Sequence, residues 1–187
     1  MSECHPKMNV WLNQYGITML ERQAHAIGWS ESRHRCILPV YMYGELVAFQ
    51  ERRLLDGDDG PKYLTTRKQD VKHPIFETGV NLSGGTLVIT EDILSAVKVG
   101  RHANTTPIQG TYRPDEQLGY VLRRKPERIL IWLDDDNPTV RKQQRRLLRR
   151  LGAFVETHRI IGHTRDPKAL SDEEIREVVY GCNHAVS

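Results

Sequence analysis

The chain lacks the features of a secreted or membrane-spanning protein. It has 3 cysteines in 187 residues and no Cys-x-x-Cys pair, which argues against a disulfide framework or a zinc ribbon and is typical of a reducing compartment. No apolar run approaches the roughly 20 residues that cross a bilayer. The first residues contain no apolar stretch of the kind found in secretory signals. We therefore predict a cytoplasmic protein that does not bind a membrane.

Two further absences exclude certain classes of protein. No Gly-x-x-x-x-Gly-Lys-Ser/Thr sequence occurs, so the chain does not hold a nucleotide in the way that P-loop ATPases do. It also has no internal repeat and no low-complexity tract. With 39% hydrophobic and 27% charged residues, it is globular rather than disordered. Its length suits one domain, or one domain with a small appendage.

The net charge is small, but it is unevenly distributed along the chain. The formal value is +3, yet residues 123–150 contain ten Lys or Arg against four acids. Three of those acids are the run at 134–136. A carboxylate cluster in a basic surround is what a site that processes polyanions needs, because basic groups hold phosphates while carboxylates hold a metal ion.

The N-terminal part predicts two short helices followed by antiparallel strands. Within 8–28, Gly16 would end the first helix, Thr18 would cap the second with Glu21 completing a capping box, and Gly28 would close it. Strands are predicted at 36–41, 45–53 and 62–66, with a hairpin turn near Gly44.

After Gly84 and Gly85 the pattern changes to alternating strand and helix. Strands are predicted at 86–91, 105–108, 128–134 and 153–156, and helices at 92–100, 138–151 and 171–180. Such alternation predicts an α/β fold with a parallel sheet flanked by helices. We therefore divide the chain into a small basic α+β subdomain, 1–84, and an α/β domain, 85–187.

Two apolar runs each stop on acidic residues. One ends at Glu91 and Asp92, and the other at Asp134, Asp135 and Asp136. Because carboxyl ends of adjacent parallel strands meet at one crevice, these carboxylates are predicted to converge. Oxygen ligands without nearby His or Cys suit Mg²⁺ or Mn²⁺.

Simpler interpretations exist for several of these residues. The acids at 134–136 could form a solvated turn before a helix. Asp92 could simply be an acid in the first turn of a helix. The basic residues of 138–151 could form a solvated helix face. The tryptophans are expected in the core; they are Trp11, Trp29 and Trp132.

The C-terminal part resembles a Toprim domain, the metal-binding α/β module of bacterial primases and topoisomerases. The first Toprim motif is a glutamate that ends an apolar strand, here Glu91. The second is an Asp-x-Asp, here Asp134 and Asp136. Primases carry a Lys-Asp-Pro-like element further on, and Arg165-Asp166-Pro167 is similar to it.

The N-terminal part is similar to the basic subdomain that precedes Toprim in bacterial and phage primases. Five elements of that subdomain occur here in the family's order: Trp11-Leu12 with Tyr15-Gly16-Ile17, Gly28-Trp29-Ser30, Ile37-Leu38-Pro39-Val40, Ala48-Phe49-Gln50-Glu51-Arg52 and Pro61-Lys62-Tyr63-Leu64. The resemblance extends over roughly residues 9–170.

The resemblance implies a primase core that makes RNA primers on single-stranded DNA from nucleoside triphosphates, using Mg²⁺ or Mn²⁺. Glu91, Asp134 and Asp136 would be catalytic and would hold the metal, with a general base as the alternative role of Glu91. Asp166 would complete the metal cluster or bind a second ion. A separate replicative helicase is a possible partner, and a phage-encoded protein would act in the host cytoplasm. The implied contacts to template or nucleotide are Arg52, Arg53, Lys62, Arg67 and Lys68.

The chain departs from the primase pattern in ways that leave alternatives open. Asp135 stands where a small or apolar residue is usual, and Asn137-Pro138 where Ala-Gly is expected shortly afterwards. We expect the zinc-binding and helicase domains of larger primases to be absent. A Toprim nuclease, and a weakly active or inactive protein that binds single-stranded nucleic acid, therefore remain alternatives to a primase.

Overall fold

A computed structural model describes residues 5–55, 60–79, 84–108, 115–134, 138–161 and 165–181. The chain forms two compact units, Met1–Phe76 and Glu77–Ser187. The predicted domain boundary after residue 84 stays a prediction. No helix in the described ranges is both long enough and apolar enough to cross a membrane.

The first unit combines two short helices with a four-stranded antiparallel sheet. The sheet has the order β1-β2-β3-β4, and the predicted hairpin at Gly44 is confirmed as the turn between β2 and β3. The elements are α1 (Pro6–Gln14), α2 (Met19–Ala24), β1 (Gly28–Ser30), β2 (Arg35–Met42), β3 (Glu45–Arg53) and β4 (Tyr63–Arg67).

The start of α2 is confirmed and its predicted end is wrong. The Glu21 backbone N–H donates to Thr18 Oγ1 at 3.2 Å, and the Thr18 N–H donates to the Glu21 carboxylate at 2.7 Å, which is a capping box. The helix ends at Ala24 rather than at Gly28. Ala26 takes the positive φ of 51° that usually falls to glycine after a helix, so Gly28 is left to begin β1.

The core of the first unit is built around Trp29, whose side chain is fully buried. Its ring stacks on the His5 imidazole with centroids 3.8 Å apart. Buried Arg22 joins the two helices, because its guanidinium donates to the Ile17 carbonyl at 2.8 Å and to Asn9 Oδ1 at 2.9 Å. A charged group inside the core is tolerated here because its N–H donors find acceptors.

Cys36 lies in β2 beside this core and is fully buried. The reactivity of its thiol therefore reports on how tightly the core is packed. Burial raises the pKa of the Cys36 thiol from 9.0 to about 12, against the opposing charges of Arg22 and Arg52. At pH 8 the reactive thiolate is therefore about a thousandfold rarer than in an exposed cysteine. Above pH 9 the unfolded thiol ionises while the folded thiol does not, so Cys36 lowers the stability of the fold as pH rises.

We expect a chain with Cys4 and Cys182 replaced by serine to resist thiol labelling at pH 8. In denaturant the same chain should label completely, as followed by absorbance with a disulfide reagent. Equal labelling rates in the native and the denatured chain would contradict the buried position of Cys36.

The second unit has a parallel sheet with the order β6-β5-β7-β8. Its elements are β5 (Thr86–Thr90), α3 (Ile93–Val99), β6 (Asn104–Pro107), α4 (Asp115–Arg123), β7 (Arg128–Ile131), α5 (Pro138–Leu151), β8 (Glu156–Arg159), a 3₁₀ turn (Pro167–Ala169) and α6 (Asp172–Tyr180). Strand and helix alternate as predicted, and the α/β fold class with a helix-flanked parallel sheet is confirmed.

Helices cover both faces of this sheet. Ile89 and Ile131 pack on one side with Leu147 of α5. Val88 and Leu130 pack on the other side. Alternate residues of β5 and β7 are therefore buried on opposite faces, which is why these strands are continuously apolar.

The predicted position of the last strand is wrong. The prediction placed it at 153–156, whereas β8 runs from Glu156 to Arg159. The N–H groups of Phe154 and Val155 both donate to the Leu151 carbonyl, at 2.9 and 3.0 Å. These residues therefore form the turn that ends α5 rather than a strand. Asn137 has a residue type and a position before Pro138 that favour a helix cap, and it lies outside the described residues.

Candidate functional site

Glu91 and Asp134 meet at the carboxyl-terminal ends of two adjacent strands of the parallel sheet. Strands β5 and β7 are neighbours with Ile89 paired to Ile131, and the Trp132 N–H extends the ladder to the Ile89 carbonyl at 2.8 Å. The chain segments that follow the two strands therefore leave the sheet side by side. The backbone N–H of Asp134 donates a hydrogen bond to the Glu91 carboxylate.

The surroundings of Glu91 disfavour its negative charge. Burial raises the pKa of Glu91 above its ordinary value, and the charge of Asp134 raises it further. The hydrogen bond from the Asp134 backbone and the charge of Lys168 act in the opposite direction, and a weaker effect of Asp92 adds to the rise. The carboxylate is thus held in a place where a cation would stabilise its charged form.

One oxygen of Glu91 is available to such a cation. Glu91 Oε2 is buried and has no hydrogen-bond partner in the described part of the chain. An unpaired buried oxygen costs free energy, and a bound Mg²⁺ or Mn²⁺ would satisfy it. The donor set of Glu91 and Asp134 is composed of oxygen, which fits these two ions. The residues present therefore fit the predicted metal.

The described residues contain only part of the predicted ligand set. Asp136, with Asp135, lies outside them, so its role as a ligand stays a prediction. Within the described ranges no three acids, histidines or cysteines come together as a metal cluster. Glu91 and Asp134 are thus the two predicted ligands that the described part of the structure brings together.

The prediction that Asp92 is an acid at the N-terminus of a helix is confirmed. Its Oδ1 accepts the Ser95 backbone N–H at 3.0 Å and caps α3. The same carboxylate has a second partner that the sequence did not indicate. Lys168 Nζ lies 2.6 Å from Asp92 Oδ2.

Asp166 is held inside a hydrogen-bonded cluster. Its Oδ1 accepts Ser95 Oγ at 2.6 Å and the Lys168 backbone N–H at 3.2 Å, and its Oδ2 contacts Lys168 Nζ. The Asp166 side chain therefore caps the 3₁₀ turn. Its predicted role as a metal ligand stays a prediction.

Sequence reasoning missed Lys168, Ser95 and Lys98. Lys98 is buried and donates through Nζ to the carbonyl oxygen of Lys168 at 3.3 Å and to that of Leu170. The three residues join α3 to a turn that lies about seventy residues further along the chain. Local spacing carries no signal for such contacts. The only local hint was Ser95 three residues after Asp92, a capping distance.

The predicted phosphate-binding residues lie on the antiparallel sheet of the first unit. Arg52 and Arg53 are neighbours in β3 and so point to opposite faces. The Arg52 guanidinium lies 4.6 Å from the Tyr63 ring centroid and 5.6 Å from that of Trp11. Two of its nitrogens, Nε and Nη1, are buried without a hydrogen-bond partner in the described ranges.

Of the other basic residues, Arg53 lies in β3, and the rest lie in β4 or next to its ends. Arg53 Nη1 donates to the Gly60 carbonyl at 2.5 Å, and Lys68 Nζ donates to Glu45 Oε2 at 3.2 Å. Arg67 donates to the Lys72 carbonyl, and Lys62 is exposed. A phosphate role for all of these residues stays a prediction.

The tryptophans are confirmed as core residues. Trp11, Trp29 and Trp132 are exposed by 9%, 0% and 2%, so none presents an open face to a nucleic-acid base. Trp132, two residues before Asp134, packs with Val88 and Leu130 on one face of the parallel sheet.

Comparison with known proteins identifies the architecture. No family model matches the chain, and no curated protein matches its sequence. A solved structure of the zinc-binding and RNA polymerase domains of the Aquifex aeolicus primase is similar to it, with a TM-score of 0.76 and 15% sequence identity. The chain has a primase-like fold.

The match covers 95% of this chain and 56% of the Aquifex primase chain. This chain therefore spans little more than half of that protein's described length. At 15% identity the likeness concerns the fold alone.

Proposed function

We propose that the chain is a primase-type nucleotidyltransferase with a Toprim domain, which synthesises short RNA primers on single-stranded DNA. The observation that carries the proposal is the pairing of Glu91 with Asp134 at the carboxyl ends of adjacent parallel strands, within a primase-like fold that extends over 95% of the chain. Nucleoside triphosphates and a DNA template would be the substrates, and a separate replicative helicase would be a possible partner.

The acidic residues would act together. Glu91, Asp134 and Asp136 would hold Mg²⁺ or Mn²⁺ at the carboxyl-terminal ends of the strands. Bound there, the ion would neutralise the triphosphate and lower the pKa of the attacking 3′-hydroxyl. Glu91 offers Oε2 for this purpose, while the Asp134 backbone N–H orients its carboxylate.

The basic residues of the first unit would bind phosphates. Arg67 and Lys68 are exposed cationic side chains at the end of β4, and Lys62 is an exposed one just before it. Exposed lysines serve as point charges for a nucleic-acid backbone, and arginines as forked donors. Arg52 and Arg53 would contribute their charge from the neighbouring strand.

The direct test is primer synthesis by the purified chain. Single-stranded DNA and labelled nucleoside triphosphates are incubated with Mg²⁺ or Mn²⁺, and short products are resolved on a gel. We expect products that alkali and ribonuclease destroy and that require both template and metal ion. No product with either ion, even with a replicative helicase supplied, would contradict the proposal.

The same gel separates the two alternatives. Metal-dependent shortening of the DNA, without synthesis, would indicate a Toprim nuclease. Retained binding of the labelled template in a parallel mobility-shift assay, with neither synthesis nor cleavage, would indicate an inactive nucleic-acid-binding protein.

A further inference from the structure

We propose that the Lys168 ammonium takes the place of a second divalent cation, so that the site of this chain binds a single Mg²⁺ or Mn²⁺. The inference rests on the proposed function, because it concerns the number of ions at the proposed metal site. It also reassigns Asp166, from a ligand of the metal to a partner of Lys168.

Lys168 lies where a cation shared by two carboxylates would lie. Its Nζ is 2.6 Å from Asp92 Oδ2 and also contacts Asp166 Oδ2. The Lys168 side chain is 16% exposed, and each of the two carboxylates is 22% exposed. This is a mostly buried ammonium between two acids, and the positive charge also acts on Glu91.

All four carboxylate oxygens of this pair already have donors. Asp92 Oδ1 accepts the Ser95 N–H, and Asp92 Oδ2 accepts Lys168 Nζ. Asp166 Oδ1 accepts Ser95 Oγ at 2.6 Å, and Asp166 Oδ2 accepts Lys168 Nζ. Glu91 Oε2 has no donor in the described ranges. A divalent ion therefore finds an unpaired oxygen at Glu91 and satisfied oxygens at Asp92 and Asp166.

A second lysine, Lys98, holds the backbone at Lys168 and Leu170 in place. Lys98 Nζ donates to the Leu170 carbonyl and to the Lys168 carbonyl, which fixes the turn that carries the Lys168 side chain. A divalent ion entering between Asp92 and Asp166 would have to expel a buried ammonium or accept its repulsion at short distance.

The test counts Mn²⁺ bound by the full chain without nucleotide, from the paramagnetic resonance signal of free Mn²⁺ during a titration. We expect one Mn²⁺ per chain for the wild type. Lys168→Met should gain a second Mn²⁺ on the released acids, and Lys168→Arg should keep one. Adding Asp166→Asn to Lys168→Met should abolish the gain.

Thermal unfolding gives a second readout. Lys168→Met leaves two acids without their cation, so it should melt at a lower temperature than the wild type. Added Mn²⁺ should raise its melting temperature by more than it raises that of the wild type, because ligand binding to the folded state stabilises it. A purely structural lysine would give the lower melting temperature without the larger Mn²⁺ response.

The outcomes separate this inference from the proposed function. Two Mn²⁺ ions on the wild type, or one on a folded Lys168→Met chain, would overturn the role of Lys168 and leave the metal site intact. No Mn²⁺ on the wild type would overturn both. If Lys168→Met does not fold, Asp166→Asn decides: this variant should still bind one Mn²⁺ in the titration, whereas the loss of one of the ion's own ligands would leave no countable Mn²⁺.

Discussion

Glu91→Gln should lower primer synthesis by about a hundredfold to a thousandfold, and Asp134→Asn by a similar factor. Each substitution keeps the size and the hydrogen-bonding oxygen of the side chain but removes the charge that would hold the metal ion. Loss of one preorganised electrostatic contact to a transition state costs about this much, which corresponds to roughly 3–4 kcal/mol of activation free energy. The measurement is the initial rate of primer formation at saturating template.

Glu91→Gln should leave the fold unharmed. The amide oxygen can still accept the Asp134 backbone N–H, and the half-buried position already disfavours a charged group. The matched control is Glu173→Gln, an exposed acid in α6, which should retain wild-type activity. Equal activity of Glu91→Gln and Glu173→Gln would rule out a catalytic role for Glu91.

Trp132→Ala should lower the free energy of unfolding by about 3–5 kcal/mol, the usual cost of removing a large buried aromatic side chain. The Trp132 ring is 2% exposed and packs with Leu130 and Ile175 between the sheet and α6. Because a domain is stabilised by only about 5–15 kcal/mol, this loss is a large share of the total. Urea unfolding of the intact chain, followed by circular dichroism, measures it.

The matched control is an exposed aromatic residue in the same unit. Phe154 is 74% exposed in the turn after α5, so Phe154→Ala should change the free energy of unfolding by no more than about 0.5 kcal/mol. A Trp132→Ala chain as stable as Phe154→Ala would show that the Trp132 ring does not support the sheet.

Predictions from sequence succeeded where a local pattern decides the conformation. The capping box at Thr18 was predicted from residues three apart, and it occurs. The strand that ends at Thr90 was read from its apolar run. Each of these signals acts within a few residues, so no distant contact is needed to interpret it.

Predictions failed where two local signals competed. Gly28 was expected to close α2, but Ala26 adopts the left-handed conformation first and Gly28 enters a strand. The apolar residues Phe154 and Val155 were expected in a strand, but hydrogen bonds to Leu151 draw them into the turn after α5. In both places the tertiary structure shifts an element by a few residues without changing its type.

The sequence by itself determined that strands and helices alternate after residue 84 and that two apolar strands are followed by acids, because periodicity and caps depend on near neighbours. It did not predict β1 or α4. Only the tertiary structure decided that β5 and β7 lie side by side, which brings Glu91 to Asp134. It alone placed Lys168 between Asp92 and Asp166. The physical reason is that a buried charge is paired by whatever the packing brings near it, and residues far apart in a sequence carry no pattern that announces the pairing.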